Sequence, residues 1–251
     1  MNGLTQARAK QIRSLRQKKE RESSGLFLVE GAKAVKESLA AGWPVKTLLC
    51  TEDFLRKNSG LSLDGIPEII TCSEKILEES GNFKSNNAAL LVAEQKKPAF
   101  AAESKSPLWL VLDNISDPGN LGTLIRLADW FGLKEVICLG NCVEWYNPKT
   151  VAASMGSFLR IQEVQMQDEQ IISSGRTILS ADMDGENLYR FRFPQNALLI
   201  IGSESAGLPE KWLQPPACRI SVPAFGQAES LNAAMAGGII LSHWKQQSLG
   251  L

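Results

Sequence analysis

The sequence has 251 residues and no net charge, because 27 lysine and arginine residues balance 27 acidic ones. This length suggests one large domain or two small ones, and the 44% of hydrophobic residues suffice for a full core. No apolar run approaches the roughly 20 residues that a membrane-spanning helix needs. The basic N-terminal segment is not followed by an apolar stretch, so we do not expect a secretory signal.

Cysteine and histidine usage narrows the chemistry further. The five cysteines form no Cys-x-x-Cys pair, which favours buried thiols in a reducing compartment, here the cytoplasm, over disulfides or structural zinc. The single histidine, His243, excludes His-based metal sites, and its position beside Trp244 argues against a Ser-His-Asp triad. If the protein is an enzyme, its chemistry must use Arg, Glu, Ser, Asn or backbone groups, without a metal.

Positive charge is concentrated at the N-terminus. Residues 1–22 carry seven basic side chains against Glu20 and Glu22, whereas residues 107–251 hold 10 basic and 14 acidic ones, a net charge of −4. A dense basic segment in a neutral chain is expected where a protein touches a polyanion such as RNA. The predicted RNA-binding residues are Arg8, Lys10, Arg13, Arg16, Lys18, Lys19 and Arg21. The alternative interpretation of this segment is a solvated helix face.

The first part of the chain alternates short apolar runs with amphipathic segments. The pattern predicts helices at 4–19, 31–41 and 73–79 and strands at 26–29, 45–50 and 88–93. Such alternation indicates a small α/β domain, which we assign to residues 1–95. The stretch that follows is polar, ends at a proline and has no periodicity, so we predict a linker at 96–107.

Residues 108–251 repeat this alternation in a second predicted domain. The predicted strands are 108–112, 135–139, 177–180, 197–201 and 219–222, and the predicted helices are 120–131, 148–155 and 230–245. This order is typical of a doubly wound parallel sheet, in which ligands bind beyond the carboxyl ends of the strands. The predicted fold class is therefore α/β in both domains.

Three segments rich in Gly, Pro, Ser and Asn follow predicted strands, and we expect them to form one site. They are residues 113–122 with Arg126, residues 202–209 and residues 222–232. Arg126 lies on an otherwise apolar helix face, which makes it a candidate for binding an anionic substrate. The simpler interpretation is that Arg126 is paired with Asp129 or Asp113.

The other polar residues of these segments have simpler interpretations too. Asn120 could cap the helix that begins near it. The glycines at 202 and 207 allow a close approach of a ligand to the backbone, but they also fit an ordinary turn. Ser230 is a natural N-cap for the last helix, and this would leave Asn232 in the first helical turn.

The order and spacing of the three segments resemble those of the SpoU/TrmH family of RNA ribose 2′-O-methyltransferases, within the SPOUT superfamily. The first family motif, D-P-x-N-x-G-x-x-x-R-x-A-x-x-F-G, is matched over 117–132, and the second, G-x-E-x-x-G-L, over 202–208. The third, I-P-M-x-G-x-x-x-S-L-N-V-S-x-A, is matched over 222–236. It departs from the family at Ala224, where Met is usual, and at 233–234, where Ala-Ala replaces Val-Ser.

The resemblance implies a C-terminal parallel sheet with a deep trefoil knot and a homodimer with composite sites. Residues 25–39 also resemble the start of the family's N-terminal substrate-binding domain, which is similar to ribosomal protein L30e. The implied cofactor is S-adenosyl-L-methionine (AdoMet), held largely by backbone groups. The implied cofactor-binding residues are Gly202, Ser203, Val222 and Leu231.

The implied reaction is methylation of a ribose 2′-oxygen in structured RNA. The implied catalytic residues are Arg126, Asn120, Glu204, Ser230 and Asn232. An arginine side chain stays protonated, so we expect Arg126 to bind phosphate and stabilise the developing alkoxide. We assign the other four to ordering the loops and the ribose. The added N-terminal domain favours ribosomal RNA over transfer RNA as the substrate.

Two other functions are compatible with parts of the sequence. A nucleotide-binding oxidoreductase on a Rossmann-type sheet would need G-x-G-x-x-G after its first strand, and this motif is absent. An RNA-binding module without catalytic activity would not need the residues of the three motifs. The presence of Arg126, Glu204, Ser230 and Asn232 therefore favours an enzyme.

Overall fold

The computed structural model describes residues 4–100, 105–203 and 206–250. In chain order, the helices are α1 (Gln6–Ser14), α2 (Lys18–Ser24), α3 (Ala32–Ala40), α4 (Glu52–Lys57), α5 (Glu74–Ser80), α6 (Pro118–Trp130), α7 (Pro148–Ala153), α8 (Asp168–Ile172) and α9 (Ala233–Leu249). The strands are β1 (Leu26–Glu30), β2 (Val45–Cys50), β3 (Glu68–Thr71), β4 (Ala89–Glu94), β5 (Leu108–Asp113), β6 (Glu135–Leu139), β7 (Gln162–Gln165), β8 (Thr177–Asn187), β9 (Ala197–Gly202) and β10 (Cys218–Ser221). None of the helices in these ranges is long and apolar enough to cross a lipid bilayer.

The chain forms two compact units, and the first is discontinuous in sequence. The first unit comprises the described part of Met1–Lys96 together with Tyr146–Leu159, and the second comprises that of Lys97–Trp145 and Arg160–Leu251. The predicted domain boundaries did not include this return of residues 146–159 to the first unit. Part of the predicted linker belongs to the second unit, because Ala99 pairs with Val164 at the edge of β7. Its residues 101–104 lie outside the described ranges.

The first unit is built on a mixed four-stranded sheet in the order β1-β4-β2-β3. Strand β4 runs antiparallel to β1 and β2, whereas β2 and β3 are parallel. Its core buries Leu49, Leu90 and Val92 of the sheet against Ile12 of α1 and Leu77 of α5. The apolar side chains of the strands and helices are thereby removed from water, which stabilises the unit.

Aromatic packing holds the returning segment on the first unit. The ring of Tyr146 lies 4.4 Å from that of Phe27, centre to centre, and the ring of Phe158 lies 5.8 Å from Phe27 and 5.6 Å from Trp43. The Tyr146 hydroxyl accepts a hydrogen bond from the Lys96 backbone N–H at 3.1 Å. Aromatic pairs of this kind contribute more than their buried area alone, so helix α7 belongs structurally to the first unit.

The second unit contains a six-stranded sheet in which all neighbouring strands are parallel. The strand order is β10-β8-β9-β5-β6-β7. The side chains of Val111, Ile137 and Ile200 are fully buried on this sheet, as expected for parallel strands covered by helices. The predicted α/β class with a C-terminal parallel sheet is therefore confirmed.

The helix predicted at 4–19 is in fact two helices. Between α1 and α2 the backbone becomes extended at Gln17, with φ −90° and ψ 134°. The guanidinium of Arg21 donates hydrogen bonds to the carbonyl oxygens of Leu15 and Arg16, each at 2.7 Å. These carbonyls would bond to later N–H groups in a continuous helix, so the arginine takes the place of helical hydrogen bonds.

Candidate active site

The three predicted loops leave the same edge of the parallel sheet. We define the first loop as residues 114–117, the second as 203–209 and the third as 222–232. Asp113 at the end of β5 is in register with Gly202 at the end of β9, which precedes the second loop. Strand β10 leads into the third loop and runs parallel to β8, the neighbour of β9. Because these strands are parallel, all three loops begin at their carboxyl ends.

The first loop ends at a helix that is capped by Asp117 and not by Asn120. Asp117 is the N-cap of α6, because its Oδ1 accepts the backbone N–H of Asn120 at 2.8 Å. Pro118 occupies the first helical position, where the missing N–H costs no hydrogen bond. The simpler interpretation of Asn120 as the helix cap is therefore wrong.

A hydrogen bond joins the first turn of α6 to the third loop across 112 residues of sequence. Asn232 Nδ2 donates to Asn120 Oδ1 at 2.8 Å. Asn232 Oδ1 accepts the N–H groups of Ala234 at 3.0 Å and Met235 at 3.2 Å, which makes Asn232 the N-cap of α9. Ser230 lies before the helix and is exposed, so the interpretation of Ser230 as the cap is wrong.

Close packing of α9 on α6 and β9 makes this hydrogen bond possible. A Cβ atom on Gly237 would lie 2.7 Å from Leu124 Cδ2 and 2.9 Å from Ile201 Cδ1. A Cβ atom at 237 would therefore require the ends of the Leu124 and Ile201 side chains to shift, and glycine allows this close packing without that shift. The glycine lets the helix axis come near α6, and the N-terminus of α9 is thereby brought to Asn120.

Arg126 is exposed on α6, and its guanidinium is available for a ligand. Asp129 is paired instead with Arg160, whose Nη2 lies 2.7 Å from the carboxylate. Asp113 is buried and accepts a hydrogen bond from Trp212. Among the described residues, none forms a hydrogen bond or ion pair with Arg126. The simpler interpretation, in which Asp129 or Asp113 holds this arginine, is wrong.

The second loop is closed by its own backbone. Gly207 N–H donates to the Ser203 carbonyl oxygen at 2.9 Å, and Ser203 Oγ accepts the Ala206 N–H at 3.2 Å. A Cβ atom on Gly202 would lie 2.4 Å from the Gly207 carbonyl oxygen, so the loop itself requires glycine at 202. Glu204, the predicted catalytic residue of this loop, lies outside the described residues.

A buried hydrogen bond fixes the segment after the second loop to the end of β5. Trp212 Nε1 donates to Asp113 Oδ2 at 2.7 Å, and the two residues are only 1% and 2% exposed. The hydroxyl of Ser180 in β8 donates to the Trp212 carbonyl oxygen. The sequence analysis did not identify this pair. The one feature of the sequence that points to it is Asp113, an acidic residue at the end of an otherwise apolar strand. A carboxylate that is buried there needs a hydrogen-bond donor.

Two thiols lie beside the first loop. Cys142 Sγ lies 3.4 Å from the carbonyl oxygens of both Leu112 and Leu139. The hydrogen bond between the Cys138 and Cys142 thiols raises the pKa of Cys138, as burial also does, and lowers the pKa of Cys142. These contacts hold the carboxyl ends of β5 and β6 together next to the site.

The seven basic residues of the N-terminus have different environments. Arg21 is buried, its guanidinium is bound to the two carbonyls between α1 and α2, and burial lowers its pKa. The prediction that Arg21 contacts RNA is therefore wrong. Arg8 is half-buried and forms an ion pair with Glu68 at 2.7 Å. The exposed members of the segment are Lys10, Arg13, Arg16, Lys18 and Lys19.

The third loop offers a surface that suits an adenosine cofactor. Residues 222–228 read Val-Pro-Ala-Phe-Gly-Gln-Ala, with no charged side chain, and residues 224–232 are exposed. Leu231 and Phe225 add exposed apolar area beside main-chain groups. A heterocycle can lie on such apolar groups and hydrogen-bond to the backbone, so these residues fit AdoMet. Within the described ranges, no three His, Cys, Asp or Glu side chains come together as possible metal ligands.

Comparison with known proteins identifies the family. The chain matches the SpoU rRNA Methylase family over residues 107–242, which is more than half of its length. Residues 6–87 match the MRM3-like substrate binding domain. The protein therefore belongs to the SpoU rRNA methylase family and carries an N-terminal domain of the MRM3-like substrate-binding type.

Individual relatives are similar over nearly the whole chain. The 23S rRNA (guanosine(2553)-2′-O)-methyltransferase RlmP of Bacillus subtilis is 31% identical, with 94% of this chain and 95% of that protein covered. The 23S rRNA (uridine(2479)-2′-O)-methyltransferase of Streptomyces viridochromogenes is 30% identical, with 88% and 83% covered. The AdoMet-bound rRNA methyltransferase of Sinorhizobium meliloti has a TM-score of 0.85 at 28% identity, with 99% and 97% covered.

The buried contact between Trp212 and Asp113 leads to a prediction about stability. Trp212→Phe should lower the free energy of unfolding by about 1.5–3 kcal/mol, because it removes a donor from a buried carboxyl group. Trp130→Phe is the matched control, since Trp130 is 79% exposed and its replacement should cost less than about 0.5 kcal/mol. Urea denaturation of both variants measures the difference. Equal losses in the two variants would contradict the assigned role.

Proposed function

We propose that this protein transfers the methyl group of AdoMet to a ribose 2′-oxygen of ribosomal RNA. The observation that carries the proposal is the hydrogen bond between Asn120 and Asn232. It joins the first and third family motifs at one edge of the sheet, with Arg126 exposed two turns further along α6. An RNA strand and a cofactor can therefore be bound by residues that are far apart in sequence.

The side chains of the site have separate roles in the proposed reaction. AdoMet, when bound, supplies an activated methyl group and a thioether leaving group. The chain must orient the 2′-hydroxyl and favour loss of its proton. We assign to Arg126 the binding of the adjacent phosphate and the stabilisation of negative charge that develops on the 2′-oxygen. Asn120, Asn232, Ser230 and Glu204 are proposed to order the loops and the ribose.

The second and third loops are the proposed cofactor site. We assign binding of AdoMet to Gly202, Ser203, Val222 and Leu231, chiefly through their backbone groups. The contacts of Ser203 support this assignment, because the Ala206 and Gly207 N–H groups both donate to it. The uncharged stretch 222–228 at the start of the third loop supports it as well. Such preorganisation lowers the entropy cost of binding a flexible cofactor.

The proposed substrate is 23S ribosomal RNA, with transfer RNA as the less favoured choice. The relatives from Bacillus subtilis and Streptomyces viridochromogenes are both named as 23S rRNA methyltransferases, and residues 6–87 match a substrate-binding domain. We propose that this N-terminal domain, which we consider similar to L30e, binds the RNA. The proposed place of action is the cytoplasm, which the five free thiols support.

A knotted C-terminal unit is part of the proposal. Strand β10 lies at one edge of the sheet, and the chain then crosses back so that α9 packs against α6 and β9. A deep trefoil knot combines such a return with passage of the chain through a loop, and this passage is implied by the family resemblance.

Substitution of Arg126 tests the proposed reaction. Arg126→Ala should lower methyl transfer to ribosomal RNA by a factor on the order of 100 to 1000, because one charge-stabilising group is lost. AdoMet affinity should stay within about twofold of wild type, since other loops bind the cofactor. Arg126→Lys should not restore activity, because an ammonium does not reproduce the guanidinium fork. Radiolabelled methyl transfer and calorimetry measure the two quantities.

A suitable control is Arg56→Ala, which removes an exposed arginine that is paired with Asp53 in the first unit. This variant should keep full activity. Turnover by Arg126→Ala at the wild-type rate would refute the role of Arg126. If the wild-type protein transferred no methyl group to ribosomal RNA, the proposed function itself would fail.

We propose that the protein is a homodimer through its second unit, with composite sites. Phe225, Leu231 and Met235 are 91%, 46% and 60% exposed, although each is a large apolar side chain near the third loop. Exposed apolar groups of this size are typical of protein interfaces. Ile240 and Trp244, further along α9, are buried within the unit instead.

The dimer prediction uses two exposed methionines of the second unit. Wild type should be dimeric at micromolar concentration, and Met235→Glu should shift it towards monomer, because a carboxylate would be buried at the interface. Met183→Glu is the control and should stay dimeric, since Met183 is 69% exposed on β8 and is not part of the third loop. Light scattering gives the mass of each. A monomeric wild type, or a dimeric Met235→Glu, would rule out this interface.

The exposed N-terminal basic residues are proposed to contact RNA phosphates. Two double variants test this proposal, Lys10→Gln/Arg13→Gln and Lys18→Gln/Lys19→Gln. Each should weaken RNA binding. Each should also flatten the slope of log K against log salt by about 0.7 per lost contact. The control pair is Arg56→Gln/Lys57→Gln, which removes two charges already paired with Asp53. Filter binding at several salt concentrations measures the slopes. Unchanged slopes in both test pairs would mean that the segment is only a solvated helix face.

A further inference from the structure

A polar cavity of about 390 Å³ lies in the second unit and is lined by none of the described residues of the three loops. It is bounded by the turn at 189–192, which follows β8, and by the last two turns of α9 with His243, Gln246 and Gln247. Arg190 and Arg192 line it, and no acidic residue is among the described residues that do so. None of the motifs in the sequence includes this cavity.

The walls of the cavity are fixed by hydrogen bonds. Gln247 Nε2 donates to the Phe191 carbonyl oxygen at 2.8 Å, and Gln247 Oε1 accepts the Phe193 N–H at 3.2 Å. These two contacts fix the orientation of the amide, so its NH₂ group also faces His243 Nε2 at 3.0 Å. The ring therefore accepts at Nε2 and carries its proton on Nδ1, which lies 3.2 Å from Gln246 Oε1. The imidazole is part of the wall.

The two arginines point outwards around a buried anchor. Phe191 is 9% exposed and its ring lies 5.3 Å from that of Phe193, edge to face. Arg190 and Arg192, on either side of it, are exposed. No hydrogen bond or ion pair joins either guanidinium to another of the described residues. The cavity thus presents two available guanidinium groups in a half of the chain where acidic residues outnumber basic ones by 14 to 10.

The cavity is connected to the candidate active site through the backbone. Leu188 N–H, just before the turn, donates to the Ser221 carbonyl oxygen at 2.8 Å. Ser221 is the last residue of β10, and the third loop begins at the next residue. A strand of RNA whose ribose lies at the third loop can therefore continue towards Arg190 and Arg192.

We propose that this cavity binds a phosphodiester of the substrate RNA strand, a few nucleotides from the methylated ribose. The proposal rests on the proposed function, because it takes RNA as the substrate. Guanidinium groups match the geometry of phosphate oxygens, and the two here are paired with no carboxylate of the residues that the structure describes. Tyr189 is 56% exposed at the mouth of the cavity, so its ring offers a surface on which the neighbouring base can stack.

The alternative is that the two arginines only neutralise the partial negative charge at the C-terminal end of α9. That helix end carries partial negative charge, and nearby cations stabilise it. In that case, replacing the arginines would lower the stability of the fold and leave the affinity for RNA unchanged. The two roles differ in their readouts, so one set of variants separates them.

The test compares Arg190→Gln/Arg192→Gln with Arg190→Lys/Arg192→Lys and with the control Arg56→Gln/Lys57→Gln. The probe is a fluorescein-labelled, single-stranded 23S rRNA fragment of mixed sequence, followed by anisotropy without AdoMet. The glutamine pair should weaken binding about 10-fold and flatten the salt slope by about 0.7 per contact. The lysine pair should keep the wild-type salt slope but bind with intermediate affinity, because the charges remain and the guanidinium fork is lost. The control should stay within about twofold of wild type.

Tyr189 gives an independent arm. Tyr189→Ala should weaken binding of the same probe about 5–10-fold, whereas Tyr189→Phe should bind like wild type, because the stacking face is retained. Unchanged affinity and salt slope in the glutamine pair would overturn the proposal. A loss of thermal stability with unchanged RNA affinity would assign the arginines to the helix end.

A failure of this proposal can be distinguished from a failure of the proposed function, because RNA binding is measured without methyl transfer. A wild-type protein that transfers no methyl group, but whose RNA binding depends on Arg190 and Arg192, would refute only the proposed function. An active wild type whose glutamine pair binds RNA normally would refute only the role of the cavity.

Discussion

The close approach of α9 to α6 at Gly237 is the contact on which the candidate site depends. Without a Cβ atom at this position, α9 can lie against Leu124 and Ile201, and its first residue is brought to the start of α6. Asn232 then does two things with one amide group: it caps α9 and it hydrogen-bonds to Asn120. Capping of α9 and the geometry of the loop therefore depend on the same side chain, the first through its Oδ1 and the second through its Nδ2.

The end of β5 is fixed from the other side by a second contact that sequence patterns do not reveal. Asp113 accepts from the Trp212 indole and from the Asn114 amide, so both of its carboxylate oxygens have donors. The segment after the second loop is thereby tied to the start of the first loop. Buried donors and acceptors that are satisfied in this way define one arrangement of a polar site. The guanidinium of Arg126 is left as the exposed group that can respond to a ligand.

Much of the sheet could be predicted from the sequence, because fully buried strands read as continuous apolar runs. The bounds predicted for β2 and β6 agree with the structure to the residue. The break between α1 and α2 could not be predicted, since it depends on Arg21 binding two carbonyls. The true cap of α9 depends on a partner 112 residues away, and local propensity alone favours Ser230. The motifs located the three loops along the chain. They could not tell whether Asn120 or Ser230 caps a helix, or whether Arg126 is in an ion pair, because these roles depend on tertiary contacts.

Five of the six arginines of the second unit separate into two kinds, and this distinction affects how the unit can bind a polyanion. Arg160 and Arg219 are held by aspartates, and a phosphate could bind them only by displacing a carboxylate. No described residue pairs in this way with Arg126, Arg190 or Arg192. A phosphate can therefore bind these three without displacing a carboxylate of the described residues. A unit with net negative charge cannot attract RNA by its overall field. Its contacts with RNA must therefore rest on a few available guanidinium groups in defined places, and these positions, more than the total charge, would determine which strand is bound.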